Sequence, residues 1–137
     1  MKSEGRQRII CVDLDGVILT YERGWASEGI FGFPVDEVLM YLRCLKEDGW
    51  YVIVYTVRGD REKIVSILSS YGILSKVHYD VVNRRKNVIP GSYKGKIGAD
   101  VYLDDRAITF KGDWKKAYQQ IKMFKPWCES GESNGDK

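Results

Sequence analysis

The chain has 137 residues, with 22 basic and 19 acidic side chains and a formal charge of +3. That near balance does not by itself call for a nucleic-acid partner, and the length fits one domain around one substantial core. No apolar run approaches bilayer length, so no membrane partner is expected. The three cysteines, Cys11, Cys44 and Cys128, form neither a zinc spacing nor a disulfide framework, which points to a reducing cytoplasm. His78 is the sole histidine, which excludes a histidine triad or a histidine metal cluster.

The first element is the apolar run Ile9-Ile10-Cys11-Val12, which delivers Asp13 and Asp15 into a turn at Gly16. Apolar residues on both faces suit a central strand of a parallel sheet covered by helices. From Gly16 to Phe33 the chain reads as an irregular loop rich in glycine and aromatics, among them Tyr21, Trp25, Phe31 and Phe33, which are expected to pack down on the core. Pro34 stands near a helix start, with Asp36 and Glu37 early in the helix, an apolar face of Val38, Leu39, Leu42 and Leu45, and a stop at Gly49.

A second strand, Tyr51–Tyr55, runs into Thr56-Val57-Arg58-Gly59-Asp60. The spacing of Ile64, Ile67 and Leu68 then predicts a helix from about Asp60 to Tyr71, with Gly72 behind it. Val77 to Val82 reads as a third strand that includes His78, and Asn83 to Gly98 as a loop with a basic patch at Arg84, Arg85 and Lys86. The fourth strand ends at Leu103 before Asp104-Asp105-Arg106, and Trp114 to Phe124 forms a closing helix. Residues 1–128 make the domain, and the polar residues 129–137 read as a disordered tail. The whole is an α/β, doubly wound, Rossmann-like domain on a mainly parallel sheet.

In such a sheet ligands bind beyond the carboxyl ends of the strands. Three apolar strands here each hand polar residues to a following turn: Asp13 and Asp15, Thr56 and Arg58, Asp104 and Asp105. Two neighbouring buried acids are costly without a cation or a shared proton between them. An Asp-x-Asp-Gly turn also occurs in calcium loops, but Val17-Ile18-Leu19 after Gly16 has no oxygen ligand to offer.

With these residues in these positions, the chain resembles the haloacid dehalogenase superfamily of aspartyl phosphohydrolases. The first motif of that family matches Asp13-Leu14-Asp15-Gly16-Val17, the second Thr56, the third Lys96 (with Lys94 a competitor), and the fourth Asp104-Asp105. The order agrees, over roughly residues 8 to 124. The resemblance implies a Mg2+-dependent phosphomonoester hydrolase. The gaps after the first motif and ahead of the third have no room for a cap domain, which implies an open site.

The residue types suit that chemistry. Phosphoryl transfer needs a nucleophile, charge neutralisation and a proton for the leaving group. Asp13 is the expected nucleophile, forming an aspartyl-phosphate. Asp15, placed on the same side by the period-two alternation of a strand, is the expected acid and then base. Asp13, the backbone carbonyl of Asp15 and Asp104 would hold Mg2+, with Asp105 in its outer shell. Thr56 and Lys96 are expected on the phosphoryl oxygens, and Arg58 as a bidentate clamp on a substrate phosphate. Arg106 is expected to pair with a neighbouring carboxylate.

Bacterial receiver domains also set an acidic pair, a Thr and a Lys around Mg2+. Their acidic pair closes the first strand and their Lys comes last, the reverse of the order here. An open pocket with basic surroundings admits a nucleotide, a nucleic-acid end or a sugar phosphate. The alternative is a non-catalytic module that binds a phosphorylated partner through the same rim. The oligomeric state has no signature in the sequence.

Overall fold

The computed structural model describes residues 6–21, 30–83, 97–125 and 127. Four strands form one sheet: β1 (Ile9–Asp13), β2 (Tyr51–Tyr55), β3 (Val81–Asn83) and β4 (Val101–Leu103). Their order is β3-β2-β1-β4 and every pairing is parallel. The described helices are α1 (Val38–Glu47), α2 (Arg61–Ser70) and α3 (Trp114–Met123). The α/β, Rossmann-like, parallel-sheet architecture expected from the sequence is the one observed.

Strand alternation sorts the core into two sides. Ile10, Val12, Val52 and Val54 face Leu42 of α1 and Ile64 and Leu68 of α2. Cys11 and Ile53 face the other way, onto Ile97 and Ala99. A right-handed crossover explains the division. The connections β1–β2 and β2–β3 step in one direction and put α1 and α2 on one face. The connection to β4 steps back across β1, and its last residues cover the opposite face. The reversal of direction lies between β1 and β4, where a doubly wound sheet opens a crevice at its carboxyl edge.

Local chemistry sets the element ends. Asp60 and Asp113 accept hydrogen bonds from the Lys63 and Lys116 amides at 3.0 and 3.1 Å, capping α2 and α3 as short acidic side chains do. Asp80 accepts from Lys46 Nζ and from the Val52 amide, tying the end of α1 to β2. Asp100 does the same at the other edge, accepting from the Ile9 amide and from Arg6.

One expectation needs correction. Val77, His78 and Tyr79 lie in a turn, and β3 starts at Val81. Lys76 takes a left-handed φ of 72°, and His78 closes a ring with Leu74: its amide donates to the Leu74 carbonyl while its Nδ1 accepts from the Leu74 amide, both at 2.9 Å. The histidine is a turn clasp, not a strand residue. The closing helix expected at 114–124 forms as α3. Ala117 is its buried side chain, while Trp114, Tyr118 and Ile121 on the same stripe stay exposed. No described helix is long and apolar enough to cross a membrane.

Candidate functional site

β1 ends at Asp13, and the chain leaves the strand at once. The Ile18 and Leu19 amides both donate to the Leu14 carbonyl at 3.0 Å, and the Gly16 amide donates to the Leu19 carbonyl at 2.7 Å. Leu14, Ile18 and Leu19 are fully buried. The apolar residues that rule out a calcium loop are therefore the anchors of a tight turn. Its stem is closed where the Thr20 amide meets the Phe33 carbonyl at 2.7 Å and Val35 meets Ile18 at 2.9 Å.

Across the crevice, β4 hands over Asp104 and Asp105. Carboxylate oxygens of Asp13, Asp104 and Asp105 all lie within 4.8 Å of one another. Asp13 accepts from the Leu14 amide at 2.9 Å and Asp104 from the Arg106 amide at 2.8 Å. Both Asp105 oxygens are buried and have no hydrogen-bond partner among the described residues. Gly16 makes room for them. Its φ is +95°, and a Cβ there would fall 2.7 Å from Asp105 Cγ, so this position excludes a side chain on both conformational and steric grounds.

Burial, followed by the nearby Asp104 charge, pushes the Asp13 carboxyl up to about 8 against the opposing Leu14 amide. Burial also raises Asp105. Three clustered acids, two of them pushed toward the protonated form and one with both oxygens orphaned among the described residues, fit a cation. An all-oxygen donor set suits a hard ion such as Mg2+. Asp13, Asp104 and Asp105 are the side chains that would hold it, so the structure brings Asp105 into the same cluster as the other two.

Asp15 stands apart from this cluster. Its two oxygens accept from Arg58 Nε at 2.7 Å and Nη2 at 3.0 Å, a bidentate pair. Both residues are buried. Arg58 Nη2 also donates to the Ile30 carbonyl at 2.6 Å, and the guanidinium lies 4.1 Å over the Phe31 ring. Arg58, expected as a phosphate clamp, is in this structure the partner of Asp15. Phe31 forms the floor beneath it, packed toward the core as expected.

A cleft of about 150 Å3 opens onto Asp13, Asp15, Thr56 and Asp104. Thr56 reaches it while its Oγ1 accepts from the Arg58 amide at 3.1 Å. Tyr21, Tyr55, Val57 and Arg106 form the lip. The Arg106 guanidinium sits 5.1 Å over the Tyr21 ring, and its charge also acts on the neighbouring Asp105 carboxylate. Phe33 is exposed beside Tyr71. Lys96 and Lys94, the basic patch Arg84-Arg85-Lys86, Trp25, Cys128 and the tail 129–137 lie outside the described residues.

One contributor has no signal in motif or spacing. Trp127 donates from its indole nitrogen to the Gly16 carbonyl at 2.7 Å, across 111 positions of sequence.

No protein-family model matches the sequence, and no curated protein matches it. Among solved structures, the chain is similar to a conserved protein from Bacteroides thetaiotaomicron. The TM-score is 0.58 with 19% sequence identity, over 96% of this chain and 100% of that one. That likeness extends to the parallel-sheet α/β fold.

Proposed function

We propose that this protein is a Mg2+-dependent phosphomonoester hydrolase of the haloacid dehalogenase type, acting through Asp13. The observation that carries the proposal is the cluster of Asp13, Asp104 and Asp105 at the β1–β4 crevice, with both Asp105 oxygens buried and without a hydrogen-bond partner among the described residues. The bound cation would offset the carboxylate repulsion and the charge of a phosphoryl group. Asp13 then attacks phosphorus, forming its acyl phosphate as the bond to the leaving oxygen breaks. Asp15 supplies a proton to that oxygen and afterwards takes one from the water that cleaves the Asp13–phosphate bond. Both Asp15 oxygens face Arg58, so one of those contacts must loosen before Asp15 can reach the leaving oxygen. Thr56 donates to a phosphoryl oxygen, and Lys96 is the expected cation beside it.

The cleft is smaller than the ~300–1,000 Å3 usual for small-molecule pockets. It suits a phosphoryl group whose remainder, a nucleotide, nucleic-acid end or sugar, lies outside against the lip. A second reading, a module binding a phosphorylated partner without turnover, draws on the Asp15–Arg58 pair, which occupies the acid that turnover requires.

Phosphate release from an aryl phosphate and from nucleotide and sugar monophosphates separates the two. Turnover should need Mg2+, vanish in Asp13→Asn and fall roughly 10^2–10^4-fold in Asp15→Asn. Undiminished turnover in Asp15→Asn would remove its acid–base role. Mg2+ binding without release from any substrate would favour the binding module.

A further inference from the structure

Beyond α3 the chain returns to the carboxyl edge of the sheet, where Trp127 reaches the turn that separates the two acids of the first strand. Gly16 links two peptide planes, and each is held from a different place. The plane before it carries the Asp15 carbonyl and the Gly16 amide. Because a trans peptide is planar, the 2.7 Å bond from that amide to the Leu19 carbonyl also fixes the direction of the Asp15 carbonyl. The plane after it carries the Gly16 carbonyl and the Val17 amide; that amide makes only a long 3.4 Å bond to the Leu14 carbonyl, whereas Trp127 holds the oxygen at 2.7 Å. Without Trp127 that plane keeps only the long Val17–Leu14 bond, and a glycine at φ +95° has room to swing. The swing matters here because the Asp105 carboxylate fills the space where a Gly16 side chain would be.

We propose that Trp127 is a positioning residue for the cation centre. Its indole N–H locks the Gly16 peptide, and through it the register between the Asp13–Asp15 turn and Asp105. Trp127, past the end of α3, is therefore a working part of the site. The effect on metal affinity stands on the carboxylate cluster; the effect on turnover rests on the phosphatase proposal above.

Two substitutions separate the hydrogen bond from packing. Trp127→Phe keeps an aromatic ring and removes the N–H, whereas Trp127→Ala removes both. Trp127 is half exposed, so neither change should prevent folding, and metal-free thermal melts of both variants verify this. Mg2+ binding to the metal-free full-length protein is then measured by calorimetry. Trp127→Phe should weaken Mg2+ roughly 2- to 10-fold, the effect of losing one neutral hydrogen bond, while its metal-free melt stays near wild type. The Mg2+ concentration for half-maximal phosphate release should rise by the same factor, with kcat at saturating Mg2+ preserved.

Wild-type affinity in Trp127→Phe with weakened affinity in Trp127→Ala would overturn the proposal, reducing the residue to packing. Absence of Mg2+ binding by the wild-type protein would overturn it together with the cation centre. Mg2+ binding that weakens as stated, without phosphate release from any substrate, would support the positioning role while the phosphatase proposal fails.

Discussion

Replacing the proposed nucleophile should stabilise the metal-free protein at alkaline pH. Unfolded, Asp13 gives up its proton near 3.8; folded, burial and the Asp104 and Asp105 charges hold the proton to about 8. Between those values the folded state binds more protons than the unfolded chain, so the stability of the wild-type protein falls as pH rises through the window. Below 3.8 both states are protonated and the penalty vanishes. At about 1.4 kcal/mol for each tenfold change in proton affinity, the displacement sets an upper bound of about 5 kcal/mol at pH 8. Asn must still be desolvated, and Asp104 and Asp105 still repel each other. On the order of 2–4 kcal/mol should remain for Asp13→Asn, roughly 6–12 °C in melting temperature for a domain of this size.

The assay is thermal melting in EDTA from pH 4 to pH 8, with wild type and Asp13→Asn side by side. The variant should melt higher at pH 8, and the gap should close toward pH 4. Adding Mg2+ at pH 8 should raise the wild type more than the variant, because the cation supplies the compensation that the substitution supplies without it. A gap that does not change with pH, or a variant no more stable than wild type at pH 8, would refute the electrostatic account of the cluster.

Arg58→Ala leaves Asp15 buried without its partner and should cost about 3–5 kcal/mol, read as a drop in the chemical-denaturation midpoint. Arg58→Ala with Asp15→Asn should recover part of the loss, and a cost that simply adds would argue against the pair. The thiols should differ in reactivity. Cys44 is exposed, whereas Cys11 is fully buried and pushed up to about 11 by burial. An alkylating reagent at pH 8 should label Cys44 in the native protein and reach Cys11 after denaturation, as mass spectrometry of the peptides would show; rapid native labelling of Cys11 would contradict the buried β1.

The parallel sheet was legible because its strands are β-branched runs apolar on both faces, and each turn after them is polar. Three of the four acids at the crevice could be placed from their position at strand ends. Asp15 could not. Period-two alternation puts it beside Asp13 only while the chain stays extended, and β1 stops at Asp13. One residue later the Leu14 turn takes over, and Asp15 points to Arg58. The same limit applies to Arg58, which lies past the end of β2, in a stretch whose conformation is set by tertiary packing on Phe31 and Ile30. His78 read as a strand residue because its neighbours are β-formers, but its ring bonds backbone four residues away, a local competitor that propensity does not count. Trp127 lies 111 residues from its acceptor, and no periodicity connects the two.

Separating the acids into two groups has an electrostatic consequence. Asp15 and Arg58 form a neutral pair, so among the described residues the excess negative charge at the crevice belongs to Asp13, Asp104 and Asp105. Two like charges about 5 Å apart repel by about 3 kcal/mol at an effective dielectric constant of 20. A phosphomonoester approaching the bare cluster would meet that repulsion from each ionised carboxylate. Arg106, over Tyr21 at the lip, also favours the ionised form of Asp105 and offsets part of that charge. Under the phosphatase proposal, then, the cation must arrive before the phosphoryl group or with it. Substrate affinity should therefore collapse in EDTA rather than merely lose its catalytic consequence. Equilibrium binding of a non-hydrolysable phosphonate analogue, with and without Mg2+, measures this directly. Equal affinity in the two conditions would mean that the anion is held by side chains other than those of the carboxylate cluster.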